Sequence, residues 1–266
     1  RTRNSTTIIG LLDADQGITP TAFQADLFPE PLRSRIVVLH EGVDTDLICP
    51  SPGATVTLDA SGLTLRPGDE LVTFVNRDLE PYRGYHIFMR ALPRILARRP
   101  KARAILVGGD GVSYGAAAPP GKNWRNIFFN EVRERLDTSR VHFVGRVPHQ
   151  TLQGLMQVTA AHVYLTYPFV LSWSMLEAMS AGALVIGSRT PPVEEVITHG
   201  SNGILCDFFD VEGLADAVID ALADQPRYQP LRDAARRSVV ARYDLKRVCL
   251  PAWLSLCRGP APPIVR

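Results

Sequence analysis

The chain has 266 residues, 45% of them hydrophobic, which is enough to bury the core of one large domain or of a domain and a half. Its 29 Lys and Arg against 27 Asp and Glu leave a formal net charge of +2, so no global field points to nucleic acid. No apolar run reaches the roughly 18 residues of a membrane span, and the four cysteines, Cys49, Cys206, Cys249 and Cys257, have neither CxxC nor zinc-finger spacing and read as reduced thiols of a cytoplasmic protein.

Residues 1–50 carry two short β-like runs, 7–12 and 35–40. Between them lie Gly17-Ile18-Thr19-Pro20 and a 23–28 segment bounded by prolines, and together they lack the apolar mass of an independent domain. Residues 51–68, rich in Pro, Gly, Ser and Thr, read as a linker or exposed arm. From residue 69 to 245 a regular pattern takes over. Strands are predicted at 70–76, 102–107, 141–144, 161–167, 183–188 and 203–206. They alternate with helices at 84–99, 124–136, 149–157, 172–181, 192–199 and 210–223, and a further helix follows at 228–243. This alternation predicts an α/β fold, a doubly wound parallel sheet with helices on both faces, and places a ligand at the carboxyl ends of the strands. Residues 246–266 read as a C-terminal helix and a proline-rich tail.

Two arginines flank the loop after the first strand of the regular region, in VTFVNRDLEPYRGYHIF. Arg77 leaves the strand and Arg83 precedes Gly84 at the start of the next helix, so both can point into the crevice. Guanidinium groups bind phosphate through paired, charge-assisted hydrogen bonds, and two of them could neutralise a diphosphate without a metal. The competing reading pairs each with Asp78 or Glu80 on the surface. The Gly108-Gly109-Asp110-Gly111 run, also behind a strand, either admits close approach of a ligand or makes only a tight turn. It is no GxGxxG fingerprint, because the next helix starts far downstream and no ribose-binding acid follows at the right interval, which argues against a dinucleotide oxidoreductase.

The stretch AHVYLTYPFVLSWSMLEAMSAG combines an apolar strand, a short loop and a helix start that carries Glu177. Amides at a helix start can hold an anion, and a carboxylate one turn inside can accept hydroxyl protons from the molecule that bears it. A phosphorylated sugar fits both. Ser174 and Glu177 also have the spacing of a capping box, whereas Ser172 is an equally good cap that would leave the acid free. His40, His149 and His162 lack metal-ligand spacing, and no metal site is expected. The basic run from Arg90 to Arg103 reads as a solvated helix face with weak attraction to anionic lipid, which allows peripheral contact with the inner face of the cell membrane.

Taken in order, NRDLEPYRG, ILVGGDG, VHFVGRVP, SMLEAMSAGALVIGS, PPVEEVI and HGSNGILCDFFD resemble the donor domain of family 4 glycosyltransferases of the GT-B fold. Upstream, GITPTAFQADLFP and VVLHEGVDTDLICP resemble the end of that family's acceptor domain and its interdomain connection. The resemblance implies a bacterial enzyme of polysaccharide or envelope synthesis with most of its N-terminal acceptor domain outside this chain. Its partners would be a nucleotide-diphospho-sugar and a glycan or lipid-linked acceptor, with no cofactor, no metal and retention of anomeric configuration. Arg77 and Arg83 match the catalytic pair that grips the diphosphate, and Glu177 matches the second acid of an E-x7-E motif that holds the ribose hydroxyls. Gly108 and Gly109 fall on the donor side, Arg146 and Val147 match the loop that frames the base, and the turn of Leu171, Ser172, Trp173 and Ser174 matches the seat of the distal phosphate. One departure stands out: Phe169 occupies the place of the first acid, with Val170 and Ser172 where small glycines are usual. A non-catalytic nucleotide-sugar-binding module and a nucleotide-sugar epimerase of the same architecture are the alternatives.

Overall fold

The computed structural model describes residues 2–58 and 62–258. The run at 7–12 is not a strand but part of helix α1 (Thr2–Asp13). Ile8 and Leu11, three residues apart, lie on its inner side, and Leu11 is buried with Ala25 and Ile36 while Ile9 and Leu12 are exposed. A strand, β1 (Gly17–Thr19), forms where only a separator was expected, and it pairs in parallel with β2 (Ile36–Val38). Helices α2 (Ala22–Asp26), capped by Thr21, and α3 (Glu30–Arg33) connect the two.

Residues 51–68 are not an exposed arm. They contain the antiparallel strands β3 (Val56–Leu58) and β4 (Leu63–Leu65), whose Val56, Leu58 and Leu65 are buried in the main core. The preceding segment is tied down as well: Arg236 donates to the carbonyls of Thr45, Ile48 and Ser180, and Gln157 donates to that of Cys49.

The regular region follows the expected alternation. Its elements are β5 (Leu71–Asp78), α4 (Tyr85–Arg98), β6 (Arg103–Gly109), α5 (Trp124–Val132), β7 (Val141–Gly145), α6 (His149–Val158), β8 (Ala161–Tyr164), α7 (Trp173–Ser180), β9 (Leu184–Ser188), α8 (Pro191–Glu194), β10 (Ile204–Cys206), α9 (Val211–Ala223) and α10 (Gln229–Tyr243). α11 (Leu250–Arg258) follows, and the proline-rich tail lies outside the described residues. The helix expected at 192–199 is shorter, because the Thr198 N–H is taken by the Asn202 side chain and Gly200 turns the chain at φ 74°. The strand expected at 161–167 stops at Tyr164, since the Thr166 amide turns to the Ser188 hydroxyl and the Tyr167 amide to the Tyr82 carbonyl.

The six strands are all parallel, in the order β10-β9-β8-β5-β6-β7. Successive residues of β5 serve opposite faces: Phe74 stacks on Phe88 of α4 in the core shared with α5 and α9, while Val75 belongs to the core shared with α6, α7 and α10. The chain is therefore doubly wound, as its alternation predicts. Among the described residues no helix is long and apolar enough to cross a membrane. The basic run on α4 is not a bare cationic face, for Arg90 pairs with Glu131, Arg94 with Glu212 and Asp216, and Arg99 with Glu70. Cys49, Cys206, Cys249 and Cys257 are all free thiols.

Candidate active site

Successive strands leave β5 in one direction through β6 and β7, and the chain then returns to add β8, β9 and β10 on the other side. The crevice at such a reversal, outside the carboxyl ends of β5 and β8, is where doubly wound folds bind ligands. A cleft of about 760 Å³ opens there. Val75, Asn76 and Arg77 of β5 and Val107 of β6 form one side. Arg146 and Val147 follow β7, His149 and Leu152 come from α6, and Ser172, Trp173, Ser174 and Glu177 come from the start of α7.

The cap of α7 is Ser172, with extended backbone (φ −92°, ψ 144°) and a hydroxyl that accepts from the Ser174 amide. Glu177 is thereby left one turn inside the helix, free of any capping box, and its carboxylate faces the cleft 3.1 Å from Nε2 of His149. Sequence reasoning considered His149 only as a metal ligand; its position four residues past Gly145, opposite the α7 start, is set by the packing of α6 on α7. Trp173 is exposed on the cleft wall, whereas Leu171 is buried in the core and does not line the cleft.

The two arginines part company. Arg77 is exposed in the cleft, without an ion-pair or hydrogen-bond partner among the described residues. Arg83 is only 4% exposed and does not line the cleft. Gly84, at φ 71°, turns the chain there into α4, and a Cβ on it would lie 2.3 Å from Leu165, so the turn admits only glycine. Nη1 of Arg83 donates to the Thr166 hydroxyl (2.8 Å), the Val170 carbonyl (3.1 Å) and the Tyr164 hydroxyl (3.3 Å). The Tyr164 hydroxyl also accepts from the Ser172 amide, which links the guanidinium to the start of α7. Tyr114 and Phe169 cover the guanidinium with their rings, at 4.8 and 5.9 Å. No carboxylate pairs with it among the described residues.

Asp78 and Glu80 do not pair with Arg77 or Arg83. Both are buried, and both hold the loop after β6. Glu80 accepts the amides of Ser113, Tyr114 and Gly115, while Asp78 accepts the Gly111 amide, the Ser113 hydroxyl and Nη2 of Arg146. Burial pushes the Asp78 carboxyl up, but the bonds from Ser113 and Arg146 outweigh it and hold the group below the usual carboxylate range. This also explains the glycines. A Cβ on Gly109 would lie 2.5 Å from the Asp78 carboxylate, and one on Gly108 would lie 2.9 Å from the Asn76 carbonyl, so both leave room for the protein itself and neither lines the cleft.

A family model described as glycosyl transferases group 1 matches residues 59–238, and one described as glycosyl transferase family 4 group matches residues 1–48. The chain belongs to the group 1 glycosyl transferases. Glycogen synthase of Mycobacterium tuberculosis is 27% identical over 257 residues, 94% of this chain and 56% of that protein. Phosphatidyl-myo-inositol mannosyltransferase of Mycolicibacterium smegmatis is 30% identical over 223 residues, 81% of this chain and 50% of that protein. Among solved structures, Anabaena Alr3699/HepE in complex with UDP superposes with a TM-score of 0.71 at 20% identity, over 92% of this chain and 64% of that one, which shows the shared GT-B fold. This group 1 chain thus spans about half the length of the curated relatives it matches.

Proposed function

We propose that the chain is the donor half of a retaining glycosyltransferase, which binds a nucleotide-diphospho-sugar in the β5–β8 crevice and passes the sugar to a glycan or lipid-linked acceptor without a metal. One observation carries this reading: Arg83 is a buried cation held only by neutral oxygens, beside a helix start and an open cleft. Burying an uncompensated charge costs on the order of several kcal/mol, and a bound anion offsets that cost. Breaking the sugar–phosphate bond builds negative charge on the leaving diphosphate. Arg77 from the cleft, Arg83 from beneath and the Trp173 amide at the start of α7 would stabilise that charge as it develops. The same phosphate then takes the proton of the attacking hydroxyl. Glu177 accepts the ribose hydroxyls, and Arg146 and Val147 flank the base.

The names of the relatives and the UDP in Alr3699/HepE support a nucleotide-sugar donor. Calorimetry with UDP, GDP and ADP in the presence of EDTA tests the reading. One nucleoside diphosphate is expected to bind, and Arg77→Ala and Glu177→Ala are each expected to weaken it about tenfold or more. Absence of binding by all three, or binding that both variants leave unchanged, rejects it. The cover that Tyr114 and Phe169 form over Arg83 favours a second reading, a module that binds the donor without transferring its sugar. Release of nucleoside diphosphate from a nucleotide sugar in the presence of acceptor separates the two.

A further inference from the structure

Six aromatic rings run in unbroken contact along the carboxyl edge of the sheet. Tyr114 meets Phe169 at 5.2 Å between centroids, Phe169 meets Tyr82 at 5.6 Å, and Tyr82 meets Tyr167 at 5.7 Å. Tyr167 meets Phe208 at 5.8 Å, and Phe208 meets Phe209 at 4.9 Å. Four separate loops supply them, following β5, β6, β8 and β10. One end of the belt covers Arg83. The other forms a pocket of about 290 Å³ that shares no residue with the nucleotide cleft and opens beside α4, on the opposite face of the sheet.

Apart from Phe208, which is buried in the core on the α4 side, these rings are not spent on the core. Tyr167 is 48% exposed and Phe209 67% exposed, and large contiguous apolar exposure marks a binding surface. Three of the contacts are nearly perpendicular: 87° for Tyr82 with Phe169, 88° for Tyr167 with Phe208 and 83° for Phe208 with Phe209. An edge-on neighbour leaves a ring face open. Open π faces are electron-rich and attract the weakly positive C–H groups on the face of a pyranose, while tyrosine hydroxyls at the rim reach its hydroxyls. Of the residues that line the pocket none is Lys, Arg, Asp or Glu, and burial holds His86 neutral, with its value lowered to about 4. That lining suits a neutral ligand. It also carries no aliphatic side chain except that of Pro81, which fits a lipid tail poorly.

We propose that this belt is a carbohydrate track, which seats the neutral sugar units of a linear acceptor glycan with its reacting end at Arg83 and its following units running to the Phe209 pocket. The end assignment rests on the donor reading above; the saccharide site itself does not. Linear neutral tetrasaccharides of gluco, manno and galacto configuration, with the matching monosaccharides, are titrated into the chain by calorimetry, and UDP is titrated in parallel. At least one tetrasaccharide is expected to bind more tightly than its monosaccharide. Phe209→Ala and Tyr167→Ala should each weaken it about tenfold, the usual scale for truncating an aromatic anchor, while leaving UDP binding and the melting temperature unchanged. If no tetrasaccharide binds, or if neither variant weakens binding, the track is rejected. Self-association of the chain that Phe209→Ala abolishes would assign the belt to a second copy and also reject it. Saccharide binding without binding of UDP, GDP or ADP would support the track and overturn the donor reading.

Discussion

Arg83 and Glu177 pose the residue-scale question in opposite ways, one a cation kept from solvent and the other an acid kept available. Nη1 of Arg83 shares its two hydrogens among three neutral oxygens, bonds from a charged donor worth about 1.5–3 kcal/mol each at best, against a desolvation cost of several. Replacing it by methionine, which fills similar space without charge, should therefore leave the melting temperature within a few degrees while nucleoside diphosphate affinity falls about tenfold or more. A large loss of stability would mean that Arg83 is a structural strut. Glu177 differs because its one side-chain partner among the described residues, His149, sits on another helix and is itself exposed. His149→Ala should then weaken nucleotide binding by no more than about threefold, well short of the effect of Glu177→Ala, since it removes an orienting contact and leaves the acceptor oxygens in place. Equal losses for the two variants would make the histidine a direct ligand contact.

At the scale of elements, the loop after β6 is the part whose fold depends most on single groups. Glu80 is fully buried and satisfies three consecutive amides, so its removal strands several donors at once. Glu80→Ala should cost about 2 kcal/mol or more in urea unfolding and release Tyr114 from Arg83; a cost under about 0.5 kcal/mol would show that the loop holds itself. None of this was legible in NRDLEPYRG, where Asp78 and Glu80 entered only in the competing reading, as surface partners of the arginines, because their true partners lie over thirty residues away. The doubly wound sheet was legible for the reverse reason, that alternating apolar periods are local; the start of α7 was legible only as two equal candidates, Ser172 and Ser174, of which the structure uses Ser172. Where a short run was compatible with two periods, the outcome depended on packing. TTIIGLL became a helix because Leu11 had Ala25 and Ile36 to meet, and residues 56–58 and 63–65 became paired strands because Val56 and Leu65 had the main core beneath them. Phe169 was visible as a departure, but its contacts with Tyr82 and Tyr114 required the assembled loops.

For the whole molecule, buried histidines set the response to acid. His162 lies fully buried between β5 and β9, with Nδ1 bonded to the Thr73 hydroxyl at 3.0 Å and Nε2 unpartnered. Burial lowers it to about 3 and His86 to about 4, from an ordinary value of 6.5, and burial lowers His40 and His142 as well. Between about pH 6.5 and 4 the folded chain therefore binds fewer protons than the unfolded one. Stability is complete above 6.5 and declines as the pH falls through that window. The lowered carboxyls of Asp78 and Asp244 have the same sign but act only below their ordinary value of 3.8, so the first loss belongs to the histidines. The melting temperature should be clearly lower at pH 5 than at pH 7, and His162→Met, which keeps the volume and cannot take a proton, should flatten the decline while Thr73 retains its bond to Thr159. A melting temperature that does not change between pH 7 and pH 5 would show that these imidazoles reach water before the fold opens.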